Sequence, residues 1–289
     1  MKRITFILCL TLLFISCKNN TSEKTTENQA KTEQPITKER IISLNGTTTE
    51  ILVDLGQKQN IVGVDVTSTF PTDISQTAIQ LEHVSKINIE ALLALQPTIV
   101  YIAKKDLNDN LKQQLESTGI KLFVIDQEFS IEGTKKLIID IANSLKLSNT
   151  SEVLDKIDLE TKAITTLATK PKVLFIYARG ASTLLVAGEN TPMEKMIELA
   201  GGENAIKGFS DFKPLTPEAL LNSNPDYILM FDTGLQSMGG IDGVLKIEGI
   251  NKTNAGKNKK VIAMDGLLLT GFTPRVGEAI TTLNKLLAE

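Results

Sequence analysis

The sequence predicts an α/β fold: two βα lobes with mainly parallel sheets, joined by a long linker helix, with a ligand cleft between the lobes. Two observations predict it first. Strand-like and helix-like segments alternate in residues 40–130 and again in residues 170–289, and residues 131–169 between them have a helical pattern with no convincing strand. Alternation of this kind is typical of βαβ units and parallel sheets.

The third observation is an internal repeat. Residues 88–100 and 216–228 share one order of features: a capping residue, an acid, an apolar helix, a proline and a β-rich strand. Matched positions lie 128 residues apart, as Glu90 and Glu218 do. This spacing is too long for a solenoid. It indicates two related lobes, and clefts between lobes are where small ligands bind.

The elements of the first lobe follow from apolar runs bounded by helix and turn signals. Gly56 ends one predicted helix, because glycine readily takes the left-handed C-cap conformation, and Asn88 begins another. The predicted strands are residues 41–44, 61–64, 98–102 and 121–125, and the predicted helices are residues 48–55, 88–95 and 107–118.

The linker and the second lobe are predicted in the same way. Apolar residues recur at helical spacing on both sides of Ser148, and Ser151 with Glu152 gives a start signal for a second helix of the linker. Pro274 suits the first turn of the closing helix. The predicted strands of the second lobe are residues 172–177, 227–231 and 261–264, and its predicted helices begin at residues 193, 216 and 273.

The N-terminus has the pattern of a secretory signal. Lys2 and Arg3 precede an apolar run at residues 4–15, which is too short to span a bilayer comfortably. We therefore predict a signal peptide over residues 1–16 and an extracytoplasmic location.

Residues 14–17 resemble the lipobox of bacterial lipoproteins, which implies that Cys17 becomes the lipid-bearing N-terminus and anchors the protein to a membrane. The alternative is a plain cleaved signal peptide. Residues 17–39 are then a lipidated tether, and their polar composition predicts flexibility. Because Cys9 is removed with the signal, no thiol is left for a disulfide, metal site or nucleophile.

Composition argues against a nucleic-acid partner. The 289 residues carry a formal net charge of −3, and aromatic residues make up 4% with no Trp. The chain therefore shows no basic stripe that would bind a phosphate backbone, and it has few aromatic residues for base stacking. We expect no nucleic-acid partner, no cofactor and a monomer.

Motifs of common enzymes are also missing. His83 is the single histidine, and the sequence contains no Gly-x-Ser-x-Gly elbow, no His-x-x-x-His and no Cys-x-x-Cys. A Ser-His-Asp site would have to use His83. A surface-anchored enzyme therefore stays only as a minor alternative.

Several segments in both halves carry a family resemblance. They are residues 40–46, 63–71, 177–180, 186–188, 199–202, 239–243 and 264–268. With these segments the chain resembles the type III, helix-linked periplasmic binding proteins of bacterial ABC importers, and within them it is most similar to the haem-binding branch. The resemblance covers roughly residues 40–289.

The resemblance implies a shallow cleft, little hinge closure and delivery of an iron- or cobalt-bearing macrocycle or a siderophore to a permease and its ATPase. It also implies that Glu90 and Glu218, one on each lobe, dock on basic residues of the permease. From the residues alone, each acid is equally explained as a first-turn carboxylate that the helix dipole favours.

The resemblance also suggests which residues line the cleft. In haem-binding relatives a Tyr precedes the Pro of this stretch and ligates iron; here Phe70 precedes Pro71, and a phenyl ring can only pack on a porphyrin face. Possible haem-iron ligands are therefore His83 and Tyr177, with Tyr101 weaker, and no site for a free metal ion is expected. Met238 is a further candidate contact, although Met is usually core filler.

Haem carries two propionates, which guanidinium groups pair with well. The candidates are Arg179, after the first strand of the second lobe, Arg275, before the last helix, and Lys86. A ferric siderophore or cobalamin is the alternative cargo, because neither needs a protein ligand to the metal.

Overall fold

The computed structural model describes residues 39–289. The predicted signal peptide, Cys17 and all of the tether except Glu39 lie outside the described residues.

The first lobe contains β1 (Ile41–Ser43), α1 (Gly46–Asp54), β2 (Ile61–Val64), β3 (Ile79–Gln80), α2 (Ile89–Ala94), β4 (Ile99–Ala103), α3 (Asp109–Ser117) and β5 (Lys121–Ile125). The linker contains α4 (Ile131–Ser144) and α5 (Ser151–Thr161). The second lobe contains β6 (Lys172–Ala178), β7 (Leu184–Ala187), α6 (Pro192–Leu199), β8 (Glu203–Asn204), β9 (Phe212–Pro214), α7 (Pro217–Ser223), β10 (Tyr227–Phe231), α8 (Asp232–Ser237), α9 (Ile241–Val244), α10 (Asn254–Asn258), β11 (Val261–Met264), α11 (Gly266–Thr270) and α12 (Val276–Ala288).

The sheet of the first lobe is parallel throughout. Its strand order is β3-β2-β1-β4-β5, and every pairing runs parallel. All residues of β1 and β4 are buried, as expected for central parallel strands covered on both faces. The predicted α/β class and the four predicted strands are confirmed here, and β3 is an additional edge strand.

The sheet of the second lobe is mixed. Its order is β11-β10-β6-β7-β9, with β8 paired to β6. Strands β10 and β11 run parallel with β6, whereas β7 is antiparallel to both β6 and β9. Only a short turn separates β6 from β7, and a parallel pair would need a long crossover. Strands β7, β8 and β9, which have two to four residues each, were not predicted from the sequence.

The linker consists of two helices rather than one continuous helix. Helix α4 ends at Ser144, and Lys146 has a positive φ of 57°, so the chain turns before α5 begins at Ser151. Helix α4 packs on α1, and α5 packs along α12. One hydrophobic core runs through both lobes and the linker, with Ile41, Ile138 and Ile280 among its members.

A short segment of the second lobe, residues 271–275, forms polar contacts with the first lobe. We call it the interlobe segment. Thr47 Oγ1 donates to the Gly271 carbonyl at 2.7 Å, and Gln127 Nε2 donates to the same oxygen at 2.8 Å. Thr134 Oγ1 donates to the Phe272 carbonyl at 3.1 Å. These bonds place the backbone of the interlobe segment against α1, α4 and the loop after β5.

A buried ion pair completes this contact. Arg275 Nε and Nη2 donate to the two carboxylate oxygens of Glu50, each at 2.9 Å. The Glu50 side chain is fully buried and that of Arg275 is 11% exposed. The guanidinium carbon also lies 3.8 Å from the centroid of the Phe70 ring. Bidentate pairing and stacking on an aromatic face are two geometries for which arginine is suited.

We expect Arg275→Ala to lower the free energy of unfolding by about 3–5 kcal/mol, because it leaves the Glu50 carboxylate buried without a partner. Chemical denaturation of the purified variants measures the change. The free energy of unfolding of Arg275→Lys should lie between those of Arg275→Ala and the unaltered protein, since lysine keeps the charge and loses the bidentate geometry. Arg179→Ala is the matched control, because Arg179 is exposed. Equal stability of Arg275→Ala and the unaltered protein would contradict the structural role of the pair.

Candidate functional site

A cleft of about 520 Å³ lies between the two lobes. On the first lobe it is lined where four parallel strands end, by Leu44, Asp65, Ala103 and Ile125. Ligands of α/β proteins gather at the carboxyl ends of parallel strands. The position of the cleft is therefore a consequence of the sheet topology.

The second lobe contributes the opposite wall. It consists of the N-terminal turn of α6 with Thr191 and Met193, of Phe212 at the start of β9, and of α11 with Leu267. Gly271 of the interlobe segment also lines the cleft. The contact that joins the lobes therefore lies directly beside the cleft.

Two loops of the first lobe are packed closely at the cleft. Asn45 caps α1 by accepting from the backbone N–H of Thr48, and the Gly46 N–H donates to Thr67 Oγ1 at 2.9 Å. A Cβ atom on Gly46 would lie 2.3 Å from the Thr67 carbonyl oxygen, so only glycine allows this approach.

Asp65 lies on this wall with 1% of its surface exposed. Its carboxylate accepts hydrogen bonds from Thr67 Oγ1 at 2.7 and 3.0 Å and from Ser68 Oγ at 3.3 Å. Burial raises the pKa of Asp65, and the hydroxyl bonds from Thr67 and Ser68 oppose that shift.

The cleft carries both signs of charge. Lys104 and Lys105 follow β4, and Lys104 Nζ lies 2.6 Å from Asp126 Oδ2. Asp106 and Asp211 also line the cleft. These residues were not predicted from the sequence. Lys104 and Asp126 directly follow β4 and β5, which were both predicted, so the tendency of ligands to bind at the carboxyl ends of parallel strands pointed to them.

His83, a predicted candidate for the haem-iron ligand, lines the cleft on the first lobe. It is the N-cap of a 3-10 turn at Val84–Lys86. Its Nδ1 lies 2.9 Å from Ser85 Oγ and 3.2 Å from the Ser85 backbone nitrogen. Within residues 39–289, Nε2 has no hydrogen-bond partner. The ring is thus held through Nδ1, and Nε2 is the nitrogen left for a ligand.

Phe70, Pro71 and Arg275 lie outside the residues that line the cleft. The ring of Phe70 lies under the guanidinium group of Arg275, which is paired with Glu50. The structure thus places the side chains of Phe70 and Arg275 in the contact between the lobes. Their ligand roles stay predictions.

Tyr177 and Arg179 lie at the carboxyl end of β6 and are also not part of the cleft lining. The Arg179 guanidinium carbon is 5.6 Å from the Tyr177 ring centroid. Tyr177 connects to the cleft wall through a chain of rings: Tyr177 to Phe231 at 6.1 Å, Phe231 to Phe175 at 5.0 Å, and Phe175 to Phe212 at 6.5 Å. Tyr177 is half-buried and Arg179 exposed.

Tyr101, the weaker tyrosine candidate, is fully buried in the core of the first lobe. Its Oη lies 2.6 Å from Ser144 Oγ, and burial raises its pKa to about 12. A phenol in this setting stays protonated and does not reach a ligand.

Met238 lines a second pocket, of about 370 Å³, within the second lobe. Its neighbours there include Leu184, Pro217 and Ile247. Lys86, the remaining basic candidate, is exposed and does not line the main cleft.

Glu90 and Glu218 are both exposed in the first turns of α2 and α7. Asn88 and Thr216 cap these helices through their side chains. Each helix leads into a parallel strand, α2 into β4 and α7 into β10, so each begins at the carboxyl-end edge of its sheet. Both acids therefore lie toward the edge of the molecule that carries the cleft.

Within residues 39–289, no group of three or more His, Cys, Asp and Glu side chains is arranged to hold a metal ion. In this same part of the chain, no helix combines the length and apolar character needed to cross a membrane.

Known proteins share this fold. The family described as periplasmic binding protein matches residues 41–267. The periplasmic heme-binding protein RhuT from Roseiflexus sp. RS-1, in its apo form, shares 35% sequence identity with a TM-score of 0.81, over 86% of this chain and 98% of that chain.

Two relatives were found by sequence. An uncharacterized ABC transporter substrate-binding lipoprotein of Bacillus subtilis, YvrC, is 25% identical over 96% of this chain and 93% of its own length. A cobalamin-binding protein of Halobacterium salinarum is 26% identical over 66% of this chain and 53% of its own length.

The family match spans the first lobe, the linker and most of the second lobe. The chain belongs to the periplasmic binding proteins, a family of extracytoplasmic substrate-binding transport proteins.

Proposed function

We propose that the protein captures haem in the interlobe cleft and delivers it to the permease of an ABC importer. The observation that carries the proposal is the cleft itself, which joins apolar walls from both lobes to the single imidazole of His83. Its volume of about 520 Å³ lies within the usual range for small-molecule sites.

The walls suit a flat, apolar macrocycle. Phe129 and Ile125 of the first lobe and Phe212, Met193 and Leu267 of the second lobe line the cleft. Aromatic and aliphatic side chains of this kind pack on the faces of a porphyrin, and burying them removes apolar surface from water.

The iron ligand that we propose first is Nε2 of His83. Ser85 contacts Nδ1 and so fixes the plane of the ring, which is the role of an outer-shell partner at metal sites. Tyr177, on the second lobe, is the other proposed iron ligand, with Arg179 beside it for a propionate. Haem is cargo in this proposal and no resident cofactor is needed.

A cobalamin carrier is the second candidate. Four aspartates but only two lysines line the cleft, which favours a cargo with less negative charge than a porphyrin dicarboxylate. The relative from Halobacterium salinarum also supports this alternative. A ferric siderophore would use the same cleft without a protein ligand to iron.

We expect the purified protein to shift the Soret band of hemin saturably at micromolar concentration. His83→Ala should weaken hemin binding by at least about tenfold, since even outer-shell partners of metal ligands contribute that much. Tyr177→Phe should change the spectrum, because it removes the phenol oxygen. Absorbance titration measures both.

Tyr227→Phe is the matched control, because Tyr227 lies away from the cleft and bonds Lys260 and Leu287. Cobalamin and a ferric hydroxamate are titrated in parallel. Tight cobalamin binding without a shift of the hemin Soret band would show that cobalamin, rather than haem, is the cargo.

We also propose a monomer without catalytic turnover: the ligand should be recovered unchanged, and size-exclusion chromatography should give the mass of one chain.

Docking on the permease is proposed for Glu90 and Glu218. Both are exposed, occupy equivalent positions of the repeat and lie toward the cleft-bearing edge. Acidic groups on two lobes can steer the protein toward basic patches of a permease and set its orientation.

We expect Glu90→Lys with Glu218→Lys to abolish uptake or stimulation of the reconstituted ATPase, because like charges would then face each other, while ligand affinity is unchanged. The control reverses Glu116 and Glu198, which lie at the opposite ends of their helices and are about half exposed. Loss of ligand affinity in the double variant, or equal loss of uptake in the control, would contradict docking.

Anchoring is proposed through Cys17, which ends the apolar signal segment. The lipoprotein YvrC is similar along almost the whole chain, which supports this assignment. A lipid at Cys17 would hold the protein at a membrane through the polar residues 18–39.

We expect Cys17→Ser to abolish incorporation of labelled fatty acid, because the acceptor thiol is lost, and to change the processing of the signal segment. Cys9→Ser is the control and should keep the label, because Cys9 is removed with the signal. Label retained by Cys17→Ser, measured on the immunoprecipitated protein, would exclude this anchor.

A further inference from the structure

The basic residues of the cleft are confined to one place. Within residues 39–289, Lys104 and Lys105 are the lysines that line the cleft, and no arginine lines it. They are adjacent in the chain, directly after β4 on the first lobe. Any acidic group of a bound ligand would find its ammonium partners there.

The other basic candidates are less available to a ligand in the cleft. The guanidinium group of Arg275 is paired with Glu50 through two bonds and lies on the Phe70 ring. Arg179 and Lys86 do not line the cleft.

Neither lysine is bound firmly by the protein. Lys104 pairs with Asp126, but the two side chains are 68% and 74% exposed. An exposed pair of this kind contributes little, so Lys104 can exchange Asp126 for a ligand carboxylate. Lys105 is exposed, and none of the salt bridges within the described part of the chain involves it.

The aspartates of the cleft limit where an anion can lie. Asp65 is on the first lobe and Asp211 on the second, whereas Asp106 follows Lys105 in the chain and Asp126 pairs with Lys104. Like charges repel, and they do so more strongly where water is partly excluded. A ligand with one anionic edge is therefore favoured with that edge at the two lysines, where it replaces Asp126 as the partner of Lys104.

We propose that Lys104 and Lys105 form a carboxylate-recognition edge that selects cargo with a carboxylate-bearing side and orients that side toward the first lobe. This rests on the proposed function, since the probe carboxylates are those of a porphyrin. Lys104 and Lys105 are specificity-determining residues in this view, and the iron ligands act independently of them.

The experiment compares hemin with hemin dimethyl ester, in which both carboxylates are blocked, on the full-length protein in detergent. Lys104→Gln with Lys105→Gln should weaken hemin binding by about tenfold or more, the size of losing hydrogen bonds to a charged group. Ester binding should change by less than about twofold. Lys162→Gln with Lys170→Gln makes the same change in net charge at two exposed positions away from the cleft and should leave both affinities unchanged.

Hemin affinity that is unchanged in Lys104→Gln with Lys105→Gln would overturn the inference, as would an equal loss of affinity for hemin and its ester. So would a loss of hemin selectivity in Arg179→Gln alone, which would place the carboxylates on the second lobe. If the unaltered protein binds neither probe, the proposed cargo fails and the inference fails with it. If it binds hemin and the cleft-lysine variant binds hemin equally well, only the inference fails.

Discussion

The arrangement of this protein depends on the buried ion pair between Glu50 and Arg275. Glu50 belongs to the first lobe and Arg275 to the second, and neither charge could be buried without the other. The pair lies beside hydrogen bonds that tie Gly271 to the first lobe and Phe272 to the linker helix α4. Phe272 has a φ of +47°, which a bulky residue rarely adopts, and the bonds to its carbonyl help to hold it there. The interlobe segment is therefore fixed by many contacts at once.

That constraint also shapes the cleft, because Gly271 belongs both to the interlobe segment and to the cleft wall. A change in the angle between the lobes would have to break buried polar bonds, and buried polar groups that lose their partners are costly. A continuous hydrophobic core under the cleft opposes such motion further. The width available to a ligand is thus determined when the chain folds. Recognition must come from the side chains at the strand ends rather than from closure of the lobes.

The sequence predicted the parts of the structure that leave a local signal. The strands of the first lobe, the two helices of the linker and the repeated capped helices all have periodicity or capping residues that a single segment shows. The sequence carries no signal where the decisive partner is remote: nothing near Arg275 reveals that Glu50, 225 residues away, pairs with its guanidinium group. Strands β7 to β9 were missed because two to four residues carry too little pattern. His83 was placed at the cleft because it is the single imidazole of the chain, whereas Lys104 and Lys105 were overlooked among many lysines.

The two lobes share the repeated helix and strand but line the cleft with different residues. Glu90 and Glu218 occupy the same position of the repeat, so the molecule presents a nearly symmetric pair of acids at its edge. Inside the cleft, His83 and both lysines come from the first lobe, while the second lobe contributes apolar side chains such as Met193 and Phe212 together with the polar Asn190, Thr191, Thr270 and Asp211. A ligand would therefore meet an asymmetric site. Because the cleft lysines lie on one lobe and apolar side chains on both, the orientation of the ligand is set by electrostatics, and its retention by the burial of apolar surface.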